Sequence, residues 1–422
     1  MGASVLGALV DWHDWVHRKV ESIDLLPGDG GRRKVSFDCT PPLIDTHGFK
    51  VEGYTSSNDA LVPLTLMAKQ TLDTVDLRDD AGRSVPFVGT HTNVMLACSA
   101  LAFIAWLQLG KNDAKLLKIW PRIYSVVADD AGIASRVAVE LIQELKLNEI
   151  MEQLFLELAS SFPVFARVDP ERIGTRQVIK LSYRWQEVER KWSIRSLARS
   201  FISTLAVGHG FSTAKYRIGA GAMYSAQTYH LEIAAPAGLV ARQMELPKDR
   251  FESAVLVRGT SSVIHARAQY NRFGSFTEIA EVRFELDPTG LIPRIWWATL
   301  GIVSLYFWML LVPDSIETLL RVADAATALL LFIPAFLVAL NARPPENVLA
   351  GRILLPLRIE AIALALALFV SGASLVLGLP PEFIKALWGG ILGFSSVLLA
   401  TLTAGIVRVY ADRILERGGG DK

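Results

Sequence analysis

Two histidines near the amino terminus have a spacing that zinc enzymes use. His13 and His17 are four residues apart with Asp14 between them, so on a helix both imidazoles would lie on one face. Metalloproteases combine this spacing with a glutamate base and a third ligand elsewhere. Asp14 has a shorter reach than glutamate, and residues 5–23 read as a short amphipathic helix with no domain built around it. We therefore interpret both histidines as solvent-facing and predict no metal site.

Two glycine-containing stretches resemble phosphate-binding loops but do not match them. Residues 208–215 read GHGFSTAK, which lacks the Gly-Lys-Ser/Thr order of a P-loop. Gly219 and Gly221 are not followed by the third glycine of a dinucleotide-binding loop. We interpret both stretches as turns and predict no cofactor. No Ser/His/Asp arrangement, carboxylate pair or Cys/His cluster stands out, so we assign no catalytic residue and favour a non-enzymatic role.

A basic amphipathic helix is predicted over 193–207, where apolar residues recur at helical spacing. Four basic residues gather at its beginning: Arg190, Lys191, Arg195 and Arg199. These side chains could contact anionic lipid headgroups. Alternatively, the helix covers a β-sheet and its basic side chains are solvated, and we favour this second interpretation.

Two further groups of residues fall within predicted membrane spans. Glu317, Arg321 and Asp324 lie about one helical turn apart and could form ion pairs, although their place near a span end favours side chains that reach the headgroups. Gly389 and Gly393 form a face of small residues on the last span, which would allow close helix packing within the bundle or between copies. No span has a charge at its centre, which argues against a proton relay or the ion site of a transporter.

The composition shows why membrane spans are expected. Of 422 residues, 51% are hydrophobic and 20% are charged, whereas soluble domains carry about 25% charged residues. The net charge of +1 excludes nucleic-acid binding driven by overall positive charge. The apolar excess lies after residue 290 and predicts four transmembrane helices, at 295–312, 322–341, 359–379 and 386–408.

Basic residues in the loops predict the orientation of these spans. One group lies between the second and third spans: Arg343, Arg352 and Arg358. The tail carries another: Arg408, Arg413, Arg417 and Lys422. By the positive-inside rule both segments are cytoplasmic, which places both termini and the large soluble part inside the cell, at the inner membrane of a bacterium. The two cysteines fit a reducing compartment, and the amino terminus has no secretory signal pattern.

One uncharged stretch allows two interpretations. Residues 93–109 could form a fifth span. Three lysines follow it directly, so a span here would require export of residues 1–90 without a signal. We favour a helix buried in the soluble region.

The chain as a whole is predicted to be an α+β multidomain membrane protein with a cytoplasmic α/β region, an antiparallel β-sandwich and a four-helix transmembrane bundle. The predicted regions are 1–30 (amphipathic helix and linker), 31–165 (strands, then helices), 166–290 (antiparallel, sandwich-like) and 291–422 (spans and cytoplasmic tail). The strand at 176–185 has two distinct faces. One is apolar: Ile179, Leu181, Tyr183 and Trp185. The other is basic: Arg176, Lys180 and Arg184.

Three functions fit these features, and no nucleic-acid partner is expected for any of them. The leading hypothesis is a membrane protein whose cytoplasmic module binds a ligand or a protein partner in signalling, sensing or scaffolding. The second is a pore-forming or membrane-disturbing effector, assembled as a homo-oligomer in the lipid bilayer through Gly389 and Gly393 and gated by the soluble region. The third is a membrane-bound enzyme of unknown reaction.

Overall fold

A computed structural model describes most of the chain. The described residues are 2–26, 30–44, 60–69, 72–186, 203–221, 226–246, 257–269, 277–312, 315–322 and 347–418. The predicted second span, except for its first residue, lies outside the described residues. The basic beginning of the predicted helix at 193–207 also lies outside them.

The amino-terminal segment folds as two short helices and a strand. These are α1 (Gly2–Val10), α2 (Trp12–Trp15) and β1 (Val16–Leu26). The prediction of one helix over 5–23 is therefore wrong beyond Trp15. The strand was missed because its inward face carries buried Lys19 and Glu21, so the alternation of apolar and polar residues that identifies a half-buried strand is lost.

Four helices follow the strands of the next region, as predicted. They are α3 (Thr90–Gln108), α4 (Asp113–Ala128), α5 (Ala131–Leu145) and α6 (Glu149–Ser160). Asn112 and Asn148 cap α4 and α6, since each side-chain oxygen accepts a backbone hydrogen bond of 3.0 Å. An antiparallel pair, β3 (Ala60–Ala68) and β5 (Ser161–Val168), packs with them in one hydrophobic cluster.

The largest sheet has six strands in the order β11–β8–β1–β2–β6–β4. Besides β1, its strands are β2 (Gly30–Cys39), β4 (Leu72–Arg78), β6 (Gln177–Gln186), β8 (Thr228–Ala234) and β11 (Val263–Gln269). Strands from both sides of the predicted boundary at 165/166 therefore share one sheet. Neighbours are antiparallel except β1 and β8, which run parallel. Strand β1 lies where a helix was predicted, and the strands of 166–290 that pair with one another are antiparallel.

A second sheet is antiparallel throughout and has the order β10–β9–β12–β7. Its strands are β7 (Ala214–Gly221), β9 (Leu239–Glu245), β10 (Val257–Ser261) and β12 (Thr277–Leu286). Gly219 and Gly221 lie in β7, so their interpretation as a turn is wrong. Phe284 of this sheet and Leu231 of the six-stranded sheet belong to one hydrophobic cluster.

Four helices among the described residues are long and apolar enough to cross a membrane. They are α3, α7 (Leu291–Leu311), α9 (Val348–Val376) and residues 381–411 of α10 (Pro381–Gly418), and a short helix, α8 (Ser315–Arg321), follows α7. Helices α7, α9 and α10 correspond to the predicted first, third and fourth spans. Helix α3 meets the same criterion, while 50% of its most apolar window is buried inside the structure.

The helices α7, α9 and α10 pack through aromatic and hydroxyl side chains. The Tyr306 hydroxyl lies 2.6 Å from Ser371 Oγ, and its ring centroid lies 5.7 Å from that of Trp388. Trp296 Nε1 donates a hydrogen bond of 2.7 Å to Thr403 Oγ1. Buried residues of these helices join the cluster that the two larger sheets share, so the hydrophobic core continues from the sheets into the apolar helices.

Candidate functional site

The outward face of the six-stranded sheet carries a groove lined by basic side chains, here called the basic groove. Alternation along β2 and β6 sends Arg32, Lys34, Lys180 and Arg184 to the same face. Arg78 of the edge strand β4 completes the set. The groove has a volume of about 540 Å³. Its other polar lining includes Ser36, Thr74, Asp76 and Ser182.

Strand register places like charges opposite one another in the basic groove. Arg32 of β2 is the direct partner of Arg184 on β6. Lys180 on β6 is the direct partner of Arg78 on β4. Directly opposite residues have Cβ atoms roughly 5 Å apart, and like charges in such positions destabilise a sheet. The two pairs concentrate positive charge on this face of the sheet.

Acidic side chains offset this charge only in part. Two ion pairs of 2.8 Å involve residues that line the groove: Asp24–Lys34 and Asp76–Arg78. The strand register also places Asp24 of β1 beside Arg32 and Asp73 of β4 beside Arg184. In the part of the chain that the structure describes, no ion pair reaches Arg32, Lys180 or Arg184.

A strained residue lines the same groove. Thr74 has a φ of +50°, a left-handed conformation that is rare for a β-branched residue. It lies in a β-bulge, because the pairing of β4 with β6 shifts between Asp73 and Asp76. Backbone strain and bulges concentrate at binding and catalytic sites. The basic groove is therefore the best candidate for a binding site.

The inward face of the same strands carries a buried charge cluster. Lys19 and Glu21 of β1 are each 1% exposed. Glu21 is the common partner: its Oε1 lies 2.8 Å from Arg33 Nε, and its Oε2 lies 4.0 Å from Lys19 Nζ. The Tyr229 hydroxyl donates a hydrogen bond of 2.7 Å to the same Oε2. Since buried charges require partners, the cluster holds β1, β2 and β8 in one arrangement.

Aromatic rings enclose Lys19 within this cluster. Its Nζ lies 5.7 Å from the ring centroids of both Phe37 and Tyr229, within the range of cation–π attraction. Burial lowers the pKa of Lys19 to about 8, while the charge of Glu21 opposes that change. Burial, and then the charge of Glu21, raise the pKa of Tyr229 well above its ordinary value. An amine enclosed in this way cannot meet a substrate, so its role is structural.

A second region of interest joins the sheets to the apolar helices. Residues 208–211, here called the junction loop, begin at the last residue of the helical stretch 203–208. A Cβ placed on Gly405 of α10 would lie 1.7 Å from the His209 carbonyl oxygen, and one on Gly208 would lie 3.1 Å from a carbonyl oxygen of α9. Arg408 of α10 donates a hydrogen bond of 2.5 Å to the Phe211 carbonyl oxygen. The loop therefore lies between α9 and α10.

His209 makes a charged contact from the junction loop. Its Nδ1 lies 2.8 Å from the Leu205 carbonyl oxygen, and its Nε2 lies 2.5 Å from Glu360 Oε1 on α9. Both partners are acceptors, so both ring nitrogens can donate only when the imidazole is protonated. The hydrogen bond to Glu360 raises the pKa of His209, although burial opposes this. The protonated histidine therefore satisfies both bonds.

Asn347 ties the beginning of α9 to the six-stranded sheet. Its side-chain oxygen accepts a hydrogen bond of 2.8 Å from the Leu349 backbone and caps α9. Its side-chain nitrogen donates a hydrogen bond of 2.6 Å to the Leu26 carbonyl oxygen at the end of β1. One residue that is 5% exposed thus fixes a strand end against a helix start.

The residues predicted from sequence to form sites are scattered in the fold. The basic group Arg190, Lys191, Arg195 and Arg199 lies outside the described residues, and so does Asp324. Glu317 and Arg321 both lie on α8, and the described part of the chain contains no ion pair between them. Gly389 and Gly393 lie on an exposed face of α10, where no described atom lies within 4 Å of a Cβ added to either.

The two amino-terminal histidines do not share a helix face. His13 lies on α2 and His17 lies on β1. His17 Nε2 is 2.9 Å from Thr40 Oγ1, and His13 Nε2 is 3.2 Å from Asp14 of its own helix. The helical spacing that suggested zinc is therefore absent.

The sequence allowed two of the five basic residues of the basic groove to be predicted, and it did not predict the junction loop. The alternation over 176–185 placed Lys180 and Arg184 on one face, but nothing local shows that β2 and β4 flank this strand. The predicted turn over 208–215 is present only at 209–213, because Gly208 ends a helical stretch and β7 begins at Ala214. The only local signal for their contact with the apolar helices is the glycine at position 405, within a predicted span.

No family model matches this chain, and no curated protein is significantly similar to it.

Proposed function

We propose that this is an integral membrane protein whose soluble region binds a ligand or partner and is mechanically coupled to the helices α9 and α10, as in sensing or signalling. The observation that carries the proposal is the position of the junction loop between these two helices. Coupling requires an element that contacts both regions and whose contacts differ between states. The junction loop meets the first requirement.

Three kinds of contact support mechanical coupling at the junction. The close approach at Gly405 leaves no space for a side chain, so the backbones of the helix and the loop are in direct contact. The contacts of His209 with Glu360 and of Arg408 with Phe211 are charge-assisted hydrogen bonds, which are stronger than neutral ones. Asn347 provides a separate connection from α9 to β1. A ligand that moved the sheets would therefore act on both helices.

The proposal also includes the orientation of the protein in the membrane, the number of spans and the packing of the two larger sheets. We place the soluble region in the cytoplasm, with four spans, both termini inside the cell, and the two larger sheets packed as a sandwich. Supporting this, Glu360 and Arg408 of the junction lie at span ends that the distribution of basic residues predicts to be cytoplasmic. The test of orientation is an Arg136→Cys variant on the exposed face of α5, because Cys39 and Cys98 are buried. A membrane-impermeant thiol reagent should label it only after the cells are opened.

Amide hydrogen exchange on the full chain in lipid nanodiscs tests the coupling. In Gly405→Ala the new methyl group collides with the His209 carbonyl, so exchange should accelerate in the junction loop and in β7 beyond it. Gly390→Ala is the matched control on the same helix, since its Cβ meets no described atom within 4 Å. Faster exchange confined to residues 208–211 would contradict the coupling. Arg408→Gln, which removes one hydrogen bond, repeats the test should Gly405→Ala fail to fold.

A second function, a pore or membrane-disturbing assembly of several copies, is favoured by one observation. The small-residue face at Gly389 and Gly393 is exposed, with no described neighbour, and such faces permit close helix association. Liposomes that contain the protein should then leak an entrapped dye, and Gly389→Ile should reduce the leak. Gly301→Ile on the exposed side of α7 is the control, and a tight liposome would exclude this function.

A further inference from the structure

We propose that the basic groove binds a phosphate-bearing ligand, with Arg32 and Arg184 as the pair that holds a phosphate group. The inference deepens the proposed function, on which it rests, by naming the class of ligand that the soluble region takes. It starts from a juxtaposition in the strand register: two arginines directly opposite one another, and a lysine directly opposite a third arginine, within one concave surface.

A bound anion would reduce the repulsion between the opposed basic residues of the groove. Each opposed pair of like charges costs the folded sheet free energy. An anion placed between Arg32 and Arg184 would replace that repulsion with two attractions. Guanidinium groups present a planar fork of donors that matches the oxygens of phosphate and can make bidentate contacts.

Several features favour phosphate over carboxylate. A phosphate monoester carries about two negative charges and three acceptor oxygens on one compact centre, which suits two arginines that face each other. Ser36 and Ser182 add hydroxyl donors on the same surface. The volume of about 540 Å³ is within the range of small-molecule sites.

The position of the groove in the sheet argues against an extended acidic peptide. Its floor is formed by β1, β2 and β6, which are internal strands with both edges paired. Their backbone groups are therefore used within the sheet, and a peptide could add a strand only at the β4 edge. The bulge at Thr74 disrupts regular pairing on that edge strand. A compact ligand that contacts side chains fits this geometry better.

Titration calorimetry on the full chain in phosphatidylcholine nanodiscs tests the proposal. The probes are inorganic tripolyphosphate, ATP and a soluble short-chain phosphatidic acid. We expect binding that weakens as salt concentration rises, and a loss of about tenfold or more in the association constant for Arg184→Gln, since one bidentate ion contact is removed. Arg217→Gln, on β7 outside the groove and well exposed, should leave binding unchanged.

The arms of the experiment distinguish the sources of phosphate. Preferential binding of ATP would support a soluble nucleotide-like ligand, and preferential binding of phosphatidic acid would support a lipid headgroup. Failure of all three probes to bind, equal losses in Arg184→Gln and Arg217→Gln, or tighter binding of a poly-glutamate peptide would overturn the proposal. Lys180→Gln serves as the second groove variant if Arg184→Gln does not fold.

The proposal of ligand binding in the groove and the proposal of coupling at the junction can be refuted independently. If no probe binds while Gly405→Ala still accelerates exchange in β7, the groove inference is wrong and the coupling stands. If a probe binds while exchange in β7 is unaffected, the groove is a binding site and the proposed coupling is wrong.

Discussion

The two faces of the strands β1, β2 and β6 differ in whether their charged side chains are paired. On the inward face, Glu21 contacts Lys19, Arg33 and Tyr229 within 4.0 Å. On the outward face, Arg32 and Arg184 oppose each other without an ion pair among the described residues. In the core, charges must be paired because water cannot solvate them. At the surface, water screens them, so charge can be kept for binding at a small cost in stability.

The largest expected change in stability comes from disrupting the buried charge cluster. Glu21→Ala should destabilise the protein by about 3–5 kcal/mol, because Lys19 and Arg33 would remain buried without a counter-charge. Denaturant unfolding of the full chain in detergent measures this. Asp24→Ala removes the partner of Lys34 in a half-exposed ion pair, and this control should cost about 1 kcal/mol or less. Equal losses in the two variants would show that the faces do not differ in the way described.

The pair formed by His209 and Glu360 at the junction tests whether buried charged contacts outside the buried charge cluster also stabilise the fold. The pKa of His209 is raised in the folded protein by its hydrogen bond to Glu360. The stabilisation is therefore complete below the unfolded pKa, close to 6.5, and is lost as pH rises through the folded value. A charge-assisted hydrogen bond of this kind contributes about 1.5–3 kcal/mol.

Unfolding measured across pH checks this prediction. The stability difference between the wild type and His209→Gln should be largest at acidic pH and should shrink at alkaline pH. His265→Gln, at a histidine whose side chain is 62% exposed, should show a smaller difference throughout. A constant difference for His209→Gln at all pH values would mean that packing, and not charge, holds the junction.

The contrast between the faces also explains what the sequence could reveal. In β6, apolar side chains alternate with Lys180 and Arg184, and the strand was predicted together with its two faces. In β1, the inward positions include Lys19 and Glu21, and the same reasoning predicted a helix. Binary patterning fails where a core position is occupied by a charge whose partners lie on other strands.

Long-range pairing limited the prediction of the candidate site in the same way. The groove depends on the lateral strand order β1–β2–β6–β4. The sequence around Arg32 and Arg78 does not show that each lies opposite a basic residue on the neighbouring strand. The junction depends on contacts such as that between His209 and Glu360, which are 151 residues apart. The apolar helices α7, α9 and α10 were predictable because composition over a single stretch is enough to identify helices that are long and apolar enough to cross a membrane.

A smaller effect is expected from the strained residue on the outward face. Thr74→Gly should stabilise the protein by about 1 kcal/mol, because glycine adopts the left-handed conformation without the cost that a Cβ imposes. Thr74→Ala keeps a Cβ and should bring no such gain. Denaturant unfolding measures both variants. If alanine and glycine stabilise equally, the threonine side chain and not the backbone is the source of the strain.

The smallest effect is the most direct test of the comparison, because it uses adjacent residues. Arg32→Gln should stabilise the unliganded protein by about 0.2–1 kcal/mol, since it removes the like charge opposite Arg184, while Asp24, its neighbour on β1, keeps its ion pair with Lys34. Arg33→Gln, one residue further along, should destabilise it by several kcal/mol through the loss of a charge from the buried cluster. Unfolding at low and high salt measures both. The gain from Arg32→Gln should nearly vanish at about 1 M salt, where the screening length falls to about 3 Å, while the loss from Arg33→Gln should persist because salt does not reach the core. A mutation that stabilises the fold and weakens phosphate binding would show that Arg32 is kept for its ligand and not for the sheet.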